Sequence, residues 1–431
     1  MGRHGRRTLI VLSFTLIVVT LGYGLVIPIF PFYIQELGGS GGEMGMLVAL
    51  SAFTELLFGP FWGSISDRIG RKRVLMVGVF GYGASLLLMG LASKLWMLFA
   101  ARALSGLLTA ATMPSAMAYI GDTTSAEERG RGIGWLGSAA GLGIILGPGV
   151  GGWLGQDVLS LPFFVGASLA WTALLLVGFL LPETVATSTR SDTRGPSSAR
   201  AGKMAQPERA RRAWKPAPQT AREEAQRQVH GLQLRSLWDA LSSPIGFPLF
   251  LLFLVSFGLA NFEAVFGLYA ADRFGFGPGR VGSILVVVGL VTTLGKGALT
   301  GPLTKRWGEE TVIKASMLAG AVGYLVLLAA FDYVTILLAT GAFILSKTVL
   351  RPALLALISR RADVGQGAAM GLGNTFLSLG RVIGPLWAGF IFDVRLTLPY
   401  LSGAAVMALG FALSLLWISP RPEVASSVRS G

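Results

Sequence analysis

Two carboxylates, Glu55 and Glu263, fall inside otherwise apolar stretches of this chain. Five bases do the same: Arg102, Lys296, Lys347, Arg351 and Arg381. Charges within membrane-length apolar runs are expensive and mark ion or substrate pathways. A glutamate in such a place can take up a proton and give it back. An embedded arginine or lysine can hold an anion or neutralise an acid. Lys347 and Arg351 are four residues apart on one helical face, so they repel unless an acid or an anion lies between them. With two acids against five bases, the embedded charge fits either acids shared among bases or recognition of anionic and zwitterionic molecules. Covalent or metal chemistry has little to work with. There is no cysteine, the two histidines (His4 and His230) fall in polar basic segments, and no metal-ligand spacing occurs. No catalytic residue, metal or cofactor is therefore expected.

The elements that must position these groups are membrane-spanning helices. Of 431 residues, 52% are hydrophobic and 13% charged, well below the charged share of a soluble domain. Twelve runs of about 20 apolar residues are centred near residues 20, 54, 84, 108, 144, 171, 258, 291, 321, 346, 379 and 408. They are called spans 1 to 12 here. The run from Thr8 to Tyr33 is too long for a signal-peptide core and reads as span 1. The net charge of +14 is distributed in alternate connections: Arg3, Arg6 and Arg7, then Arg68, Arg71, Lys72 and Arg73, then Arg129 and Arg131, Lys305 and Arg306, Arg360 and Arg361. The intervening connections are short and carry Glu36, Glu43, Asp157 and Asp332. This is positive-inside bias. It argues against nucleic-acid binding as the reason for the charge, and it places both termini in the cytoplasm.

Residues 183–243 break the pattern with a polar, basic segment rich in Pro, Ser, Gly and Ala, expected to be a largely disordered cytoplasmic linker with a short amphipathic helix near Leu232–Leu241. It divides the spans six and six. The expected domains are residues 1–182 and 244–420, followed by a cytoplasmic tail at 421–431. The halves echo each other. Gly63 through Gly70 follows span 2 as Gly301 through Gly308 follows span 8 (301 − 63 = 238), and Gly147-Pro148 recurs as Gly384-Pro385 (384 − 147 = 237). Two landmarks with nearly one offset indicate an internal duplication, an architecture used by transporters.

Several motifs carry a resemblance. In span 5, Gly143, Gly147, Pro148, Gly151 and Gly152 form GxxxGPxxGG, in which small residues let a second helix approach at backbone distance. This resembles the fifth-helix signature of drug/proton antiporters of the major facilitator superfamily. Gly63, Asp67, Arg68, Gly70, Arg71 and Lys72 resemble the superfamily's loop between spans 2 and 3. Arg102-x-x-x-Gly106 resembles its span-4 signature, and Gly22-Tyr-Gly24-Leu-Val-Ile-Pro28-Ile-Phe-Pro31 the first helix of the twelve-helix branch. The stretch SFGLANFEAVFGLYAADRF around Glu263 is similar to span 7 of NorA-type multidrug efflux proteins. In that group an acid stands three residues before an Arg-Pro in span 10; here Arg351-Pro352 is kept but the position is Thr348.

The resemblance implies an all-α integral membrane protein with the major-facilitator fold, its twelve helices in two pseudo-symmetric bundles around a cavity lined chiefly by spans 1, 4, 7 and 10. It implies binding of small amphipathic substrates and protons in the bacterial inner membrane, and a functional monomer is expected. The implied activity is proton-coupled export by alternating access, with the proton gradient as energy source. Glu263, Glu55, Arg102, Arg351 and Lys347 would serve proton coupling or substrate. Asp67 would meet the start of span 11 and Arg71 would meet Asp122, latching the basic end shut in the outward-open state, with Lys305 in place of the second acid making the latch one-sided. The spans holding Gly147–Gly152 and Gly384–Gly389 would be the pivot. Phe257, Phe262, Phe266, Tyr269, Phe343 and Phe376 are candidates to line the cavity. The alternatives are an exporter of one organic anion or lipid-like zwitterion, clamped by Lys347 and Arg351, and a membrane sensor or enzyme.

Overall fold

The computed structural model describes residues 3–123, 126–183, 234–362 and 365–417. Most of the expected linker, His230 and the tail beyond residue 417 lie outside the described residues, as does the side chain of His4. Among the described residues, twelve helices are long and apolar enough to cross a membrane: Arg7–Val26, Gly41–Ile69, Arg71–Gly90, Leu95–Asp122, Gly130–Leu154, Leu161–Leu180, Gly246–Phe274, Pro278–Ala298, Thr300–Ala329, Tyr333–Arg361, Gln366–Val394 and Leu398–Trp417. These are spans 1 to 12, and the all-α membrane fold expected from the sequence is observed. The amphipathic helix at the linker's end is present as Leu234–Leu241, with Trp238 exposed.

Local chemistry explains the ends. Pro28 follows the end of span 1 at Val26, and a short helix, Phe30–Glu36, comes next. Ser40 caps span 2, its side chain accepting from the Glu43 N–H while the Glu43 carboxylate accepts from the Ser40 N–H at 2.7 Å. Asp332 caps span 10 in the same way with Thr335. Span 4 breaks into Leu95–Thr109 and Thr112–Thr123. Gly70 (φ +104°) makes the turn after span 2, and Gly308 (φ +76°) makes a kink inside the helix Thr300–Ala329, both with a backbone that favours glycine over residues with a Cβ. They are 238 residues apart, so the duplicated loop keeps its turn although its acid has become Lys305.

Within each half, the glycine-rich span is laid against the first span of that half. A Cβ added at Gly143 would lie 2.6 Å from the Ile17 carbonyl of span 1, and one at Gly147 would lie 2.7 Å from the Gly24 Cα. In the second half, a Cβ at Gly380 would lie 2.6 Å from the Phe257 N of span 7, and one at Gly384 would lie 2.6 Å from its O. These contacts are backbone against backbone, so no side chain can turn aside to make room.

The two halves meet along two seams built on the same plan. In one, span 2 crosses span 11: a Cβ at Gly45 would lie 3.0 Å from the Gly389 Cα and would also strike the Pro385 carbonyl. In the other, span 8 crosses span 5: a Cβ at Gly282 would lie 3.0 Å from the Gly152 Cα and would strike the Pro148 carbonyl. Each corresponding pair (45 and 282, 152 and 389, 148 and 385) is 237 residues apart. The motif in span 5 therefore has two faces. Gly143, Gly147 and Gly151 hold span 1 of the same half, and Gly152 holds span 8 of the other.

Both seams are packed at one end only. Gly63, Gly134 and Gly371 lie 18 residues from Gly45, Gly152 and Gly389, which is five whole turns along the same helix faces. A Cβ added at any of the three meets nothing within 4 Å. About 27 Å along the helices, toward the end where the basic loops lie, the halves have parted. The molecule is closed at its acidic end and open at its basic end.

Candidate functional site

A cluster of charges lies between the closed crossing of Gly45 and Gly389 and the open positions at Gly63 and Gly371, in the space where the halves part. Glu55 of span 2 meets Arg381 of span 11, with Arg381 Nη2 at 3.4 Å from Glu55 Oε2 and both side chains about half exposed. Among the described residues it is the one ion pair that crosses between the halves. Glu263, on span 7, is reached by solvent although the residues flanking it are buried. It lies in the electrostatic field of Arg381 first and of Lys296 second, and has no ion pair of its own among the described residues. Arg381 thus acts on both embedded glutamates. Of the five embedded bases it is the one with the least in its local sequence to single it out.

Arg102 is placed at the edge of this cluster by a close crossing of spans 2 and 4. A Cβ at Gly106 would lie 2.7 Å from the Ser51 carbonyl, and the Trp62 indole N–H donates to the Leu107 carbonyl at 2.6 Å. No carboxylate forms an ion pair with it among the described residues. The guanidinium instead lies over the rings of Phe30 (4.9 Å) and Tyr23 (6.0 Å), within the field of Glu55. Cation–π contacts of this kind offset part of the desolvation of a buried arginine, and its Nε has no hydrogen-bond partner.

Lys347 and Arg351 do not form one basic face. Lys347 is 4% exposed and points into the second half, its Nζ 2.7 Å from the Met407 sulfur and over the rings of Phe343 (5.2 Å) and Tyr324 (5.4 Å). Arg351, one turn on, is exposed to the cavity. Span 10 turns its first cation into an aromatic cage because small residues leave room for it: Gly258 and Gly320 both lie beside the Lys347 side chain. Lys347 is therefore not a neutraliser of Glu263. The cavity cluster holds Glu55 and Glu263 against Arg102, Lys296, Arg351 and Arg381. Thr348 is buried, and a Cβ at Gly295 of span 8 would lie 3.4 Å from the Thr348 Cβ, marking where spans 8 and 10 cross.

The six aromatic candidates do not line the cavity. Phe257, Phe262, Phe266, Tyr269, Phe343 and Phe376 are all buried. Phe262 packs on Phe266 at 4.8 Å and on Phe343 at 5.1 Å, forming much of the second half's core. Tyr23 is the aromatic side chain that stands, partly exposed, beside both Arg102 and Arg381.

At the basic end, Arg71 pairs with Asp67 and, at 3.0 Å, with Asp122, while Arg68 is exposed. Asp67 makes no hydrogen bond or ion pair to the start of span 11 among the described residues. The Arg71–Asp122 pair thus exists with the basic end open, and it braces spans 3 and 4 of one half without reporting which end is closed. The second half has its own braces, Arg360–Glu309 at 3.3 Å and Arg361–Glu310 at 2.8 Å.

The acidic end supplies contacts the sequence reading missed. Asp393, at the end of span 11, accepts from the N–H groups of Gly41 (2.7 Å) and Gly42 (2.8 Å) at the start of span 2. A carboxylate there meets both the orphan donors and the dipole of a helix N-terminus. Gln35 donates to Asp272 at 3.2 Å, a second link between the halves. The 237-residue offset would have pointed to Asp393, since it brings Asp393 onto Gln156 and Gly42 onto Gly279, and Gln156 does touch Gly279.

Comparison with known proteins agrees with this architecture. The sequence profile described as "Major Facilitator Superfamily" matches residues 12–345 and 248–431. Multidrug resistance protein 1 of Bacillus subtilis is 31% identical over 97% of this chain and 98% of its own length, and multidrug resistance protein 2 of the same organism is 30% identical over 97% and 96%. The quinolone resistance protein NorA of Staphylococcus aureus is 27% identical over 95% of this chain and 96% of its own. Among solved structures, the nucleoside transporter NupG superposes with a TM-score of 0.73 at 14% identity, covering 97% of this chain and all of that one. A bacterial homologue of the lysosomal transporter Spinster, in an inward-facing, occupied conformation, gives 0.69 at 13% identity, covering 97% of each chain. Twelve spans in two offset-related sets of six, a charged cavity between them and these matches together make the chain a multi-pass membrane transporter, not an enzyme, belonging to the Major Facilitator Superfamily.

Proposed function

We propose that this protein is a proton-coupled antiporter that exports amphipathic drugs from the cytoplasm across the bacterial inner membrane. The observation that carries the coupling is Glu263: a carboxylate open to the cavity, with no ion pair among the described residues, beside a cation that it shares with Glu55. The multidrug and quinolone resistance relatives support the substrate class. By the positive-inside rule the basic end is cytoplasmic, so the termini lie in the cytoplasm and the cavity, as it stands, faces it.

In that state a deprotonated Glu263 attracts the positive part of a drug. Its arrival draws the carboxylate's field from Arg381, which keeps Glu55 as partner. Closing the basic end and parting the two glycine seams turns the cavity outward. A proton taken up there by Glu263 removes the charge that held the drug and releases it. The proton leaves to the cytoplasm when the cavity returns. Equal binding of drug in both states would move nothing, so the alternation of charge on Glu263 supplies the difference in affinity. The proton gradient is the energy source, no cofactor takes part, and one chain suffices because the cavity is complete within it.

The test uses purified protein in liposomes with an imposed pH gradient and a cationic fluorescent dye. Gradient-driven dye movement is expected for the wild type, and movement at the rate of protein-free liposomes for Glu263→Gln. Undiminished gradient-driven movement by Glu263→Gln overturns the coupling role.

A further inference from the structure

The charge cluster contains more cation than its acids use. Arg381 is committed to Glu55 and Arg102 to the rings of Phe30 and Tyr23. Lys296 and Arg351 have neither an ion pair nor a hydrogen bond among the described residues, and both are exposed. They stand together because spans 8 and 10 cross beside them. Gly295 packs on Thr348, which puts Lys296 next to the crossing and Arg351 one turn past it; Lys296 lies in the field of Arg351, and Arg351 in that of Arg381. On the open side of Lys296, a Cβ at Gly297 or Gly301 would meet nothing within 4 Å. Two like charges beside one crossing repel, and Glu263 offsets part of the charge on Lys296 only. An anion from outside relieves that repulsion and receives a point-charge donor and a forked guanidinium at once. Glu263, also in the field of Lys296, lies alongside with the opposite charge.

We infer that Lys296 and Arg351 form an anion subsite in the cavity, so that the molecules this transporter holds best carry a carboxylate or phosphate together with an amine. Resting on the export reading above, it adds a substrate class: amphipathic zwitterions, with the anionic group on Lys296 and Arg351 and the cationic group toward Glu263. Lys347, sealed in its aromatic cage, takes no part.

The experiment compares rhodamine B, a zwitterion, with its ethyl ester, a cation of nearly the same shape. Binding to purified full-length protein in neutral phosphatidylcholine nanodiscs is followed by fluorescence anisotropy, which needs no pH gradient or transport. The wild type should bind the zwitterion about 10-fold more tightly, the value of one charge-assisted contact of about 1.4 kcal/mol. Lys296→Gln and Arg351→Gln should each invert that preference, weakening the zwitterion and tightening the ester, since each variant removes a charge that repels the ester. A monodisperse gel-filtration peak for each variant shows that it is folded, and Arg351→Lys should restore part of the preference. Adding phosphatidylglycerol separates the two sources of the anion. If it competes with rhodamine B in the wild type and not in Lys296→Gln, the subsite holds lipid headgroups as well. If it does not compete, the anion belongs to the transported molecule. Equal affinity for the two dyes in the wild type, or equal loss of both in the variants, overturns the subsite and leaves dye export, measured separately in liposomes, untouched.

Discussion

The two seams that join the halves share one backbone plan and differ in what decorates it. The seam of spans 5 and 8 is closed by contact alone: Gly152 on Gly282, Gly149 on Val286 and Gly289 on Ile145, with Gln156 against Gly279 at its outer end. The seam of spans 2 and 11 has the same glycine crossing, but Asp393 caps the span-2 N-terminus where Gln156 sits in the other, and Glu55 pairs with Arg381 further in. Glycine crossings respond to shape and are indifferent to charge. Carboxylates on helix donors and on arginine respond to protons, to salt and to charged ligands. The duplication therefore left one seam held by shape and the other carrying charge as well, among the described residues.

The largest effect should come from bulk, and it should not distinguish the seams. Gly45→Leu and Gly282→Leu each drive a side chain into a facing backbone that cannot yield. Either should hold the acidic end open and abolish dye export. Because the chain has no cysteine, a single reporter cysteine at Phe392, buried in the closed end, gives a clean reading. Its labelling by a membrane-impermeant maleimide should rise about 10-fold or more, the response of a two-state equilibrium to some 1.4 kcal/mol. Normal labelling in both variants would mean the glycine crossings do not determine closure.

Charge should separate the seams. Asp393→Asn keeps shape and loses the anion at the span-2 N-terminus; such caps contribute about 1 kcal/mol, so closure should weaken about 5-fold by the same reporter. Gln156→Ala should change labelling by less than about 2-fold, because an uncharged side chain gives little to a helix dipole. Equal effects from the two substitutions would remove the asymmetry.

The smallest effect isolates capping across a seam from capping within one half. Thr335, through its hydroxyl and backbone N–H, holds the Asp332 carboxyl below the ordinary carboxylate range. A depressed value means the cap stabilises at neutral pH and is lost as pH falls through that lowered value. Acidification to that range should lower the protection of the amides in the first turn of span 10, measured against their intrinsic exchange rate at each pH, Asp332→Asn should flatten this pH dependence, and the Phe392 reporter should not change, since Asp332 touches only its own half. A reporter that follows Asp332 would contradict the separation of the two roles.

The fold was legible because its signals are local. Apolar runs of membrane length depend on one segment at a time, and the alternation of basic loops and the 237-residue echo of Gly147-Pro148 need only segments compared by type, not by contact. The embedded charges were legible as a set for the same reason. Their pairing was not. Lys347 and Arg351 read as one face at a spacing of four, yet Gly258, Gly320 and Met407, far away in sequence, open a cage that draws Lys347 out of the cavity. The six aromatic residues read as cavity lining and proved to be core, because periodicity does not say which face of an all-apolar helix meets a neighbour. Arg381 and Asp393 were hard to single out because each acts on a span from the opposite half.

The sequence by itself determined that this chain crosses the membrane twelve times, that its halves are copies, that glycine-studded helices pack closely and that a few charges are stranded among them. Hydrophobicity, helix period and residue size settle those matters within a segment. Tertiary structure alone decided which glycine faces its own half and which the other, that Glu55 is ion-paired while Glu263 has no ion pair among the described residues, and that Lys296 and Arg351 stand beside one helix crossing. Those outcomes depend on the register of helices distant in the chain, where one turn of rotation decides whether a charge meets a partner, an aromatic cage or the open cavity.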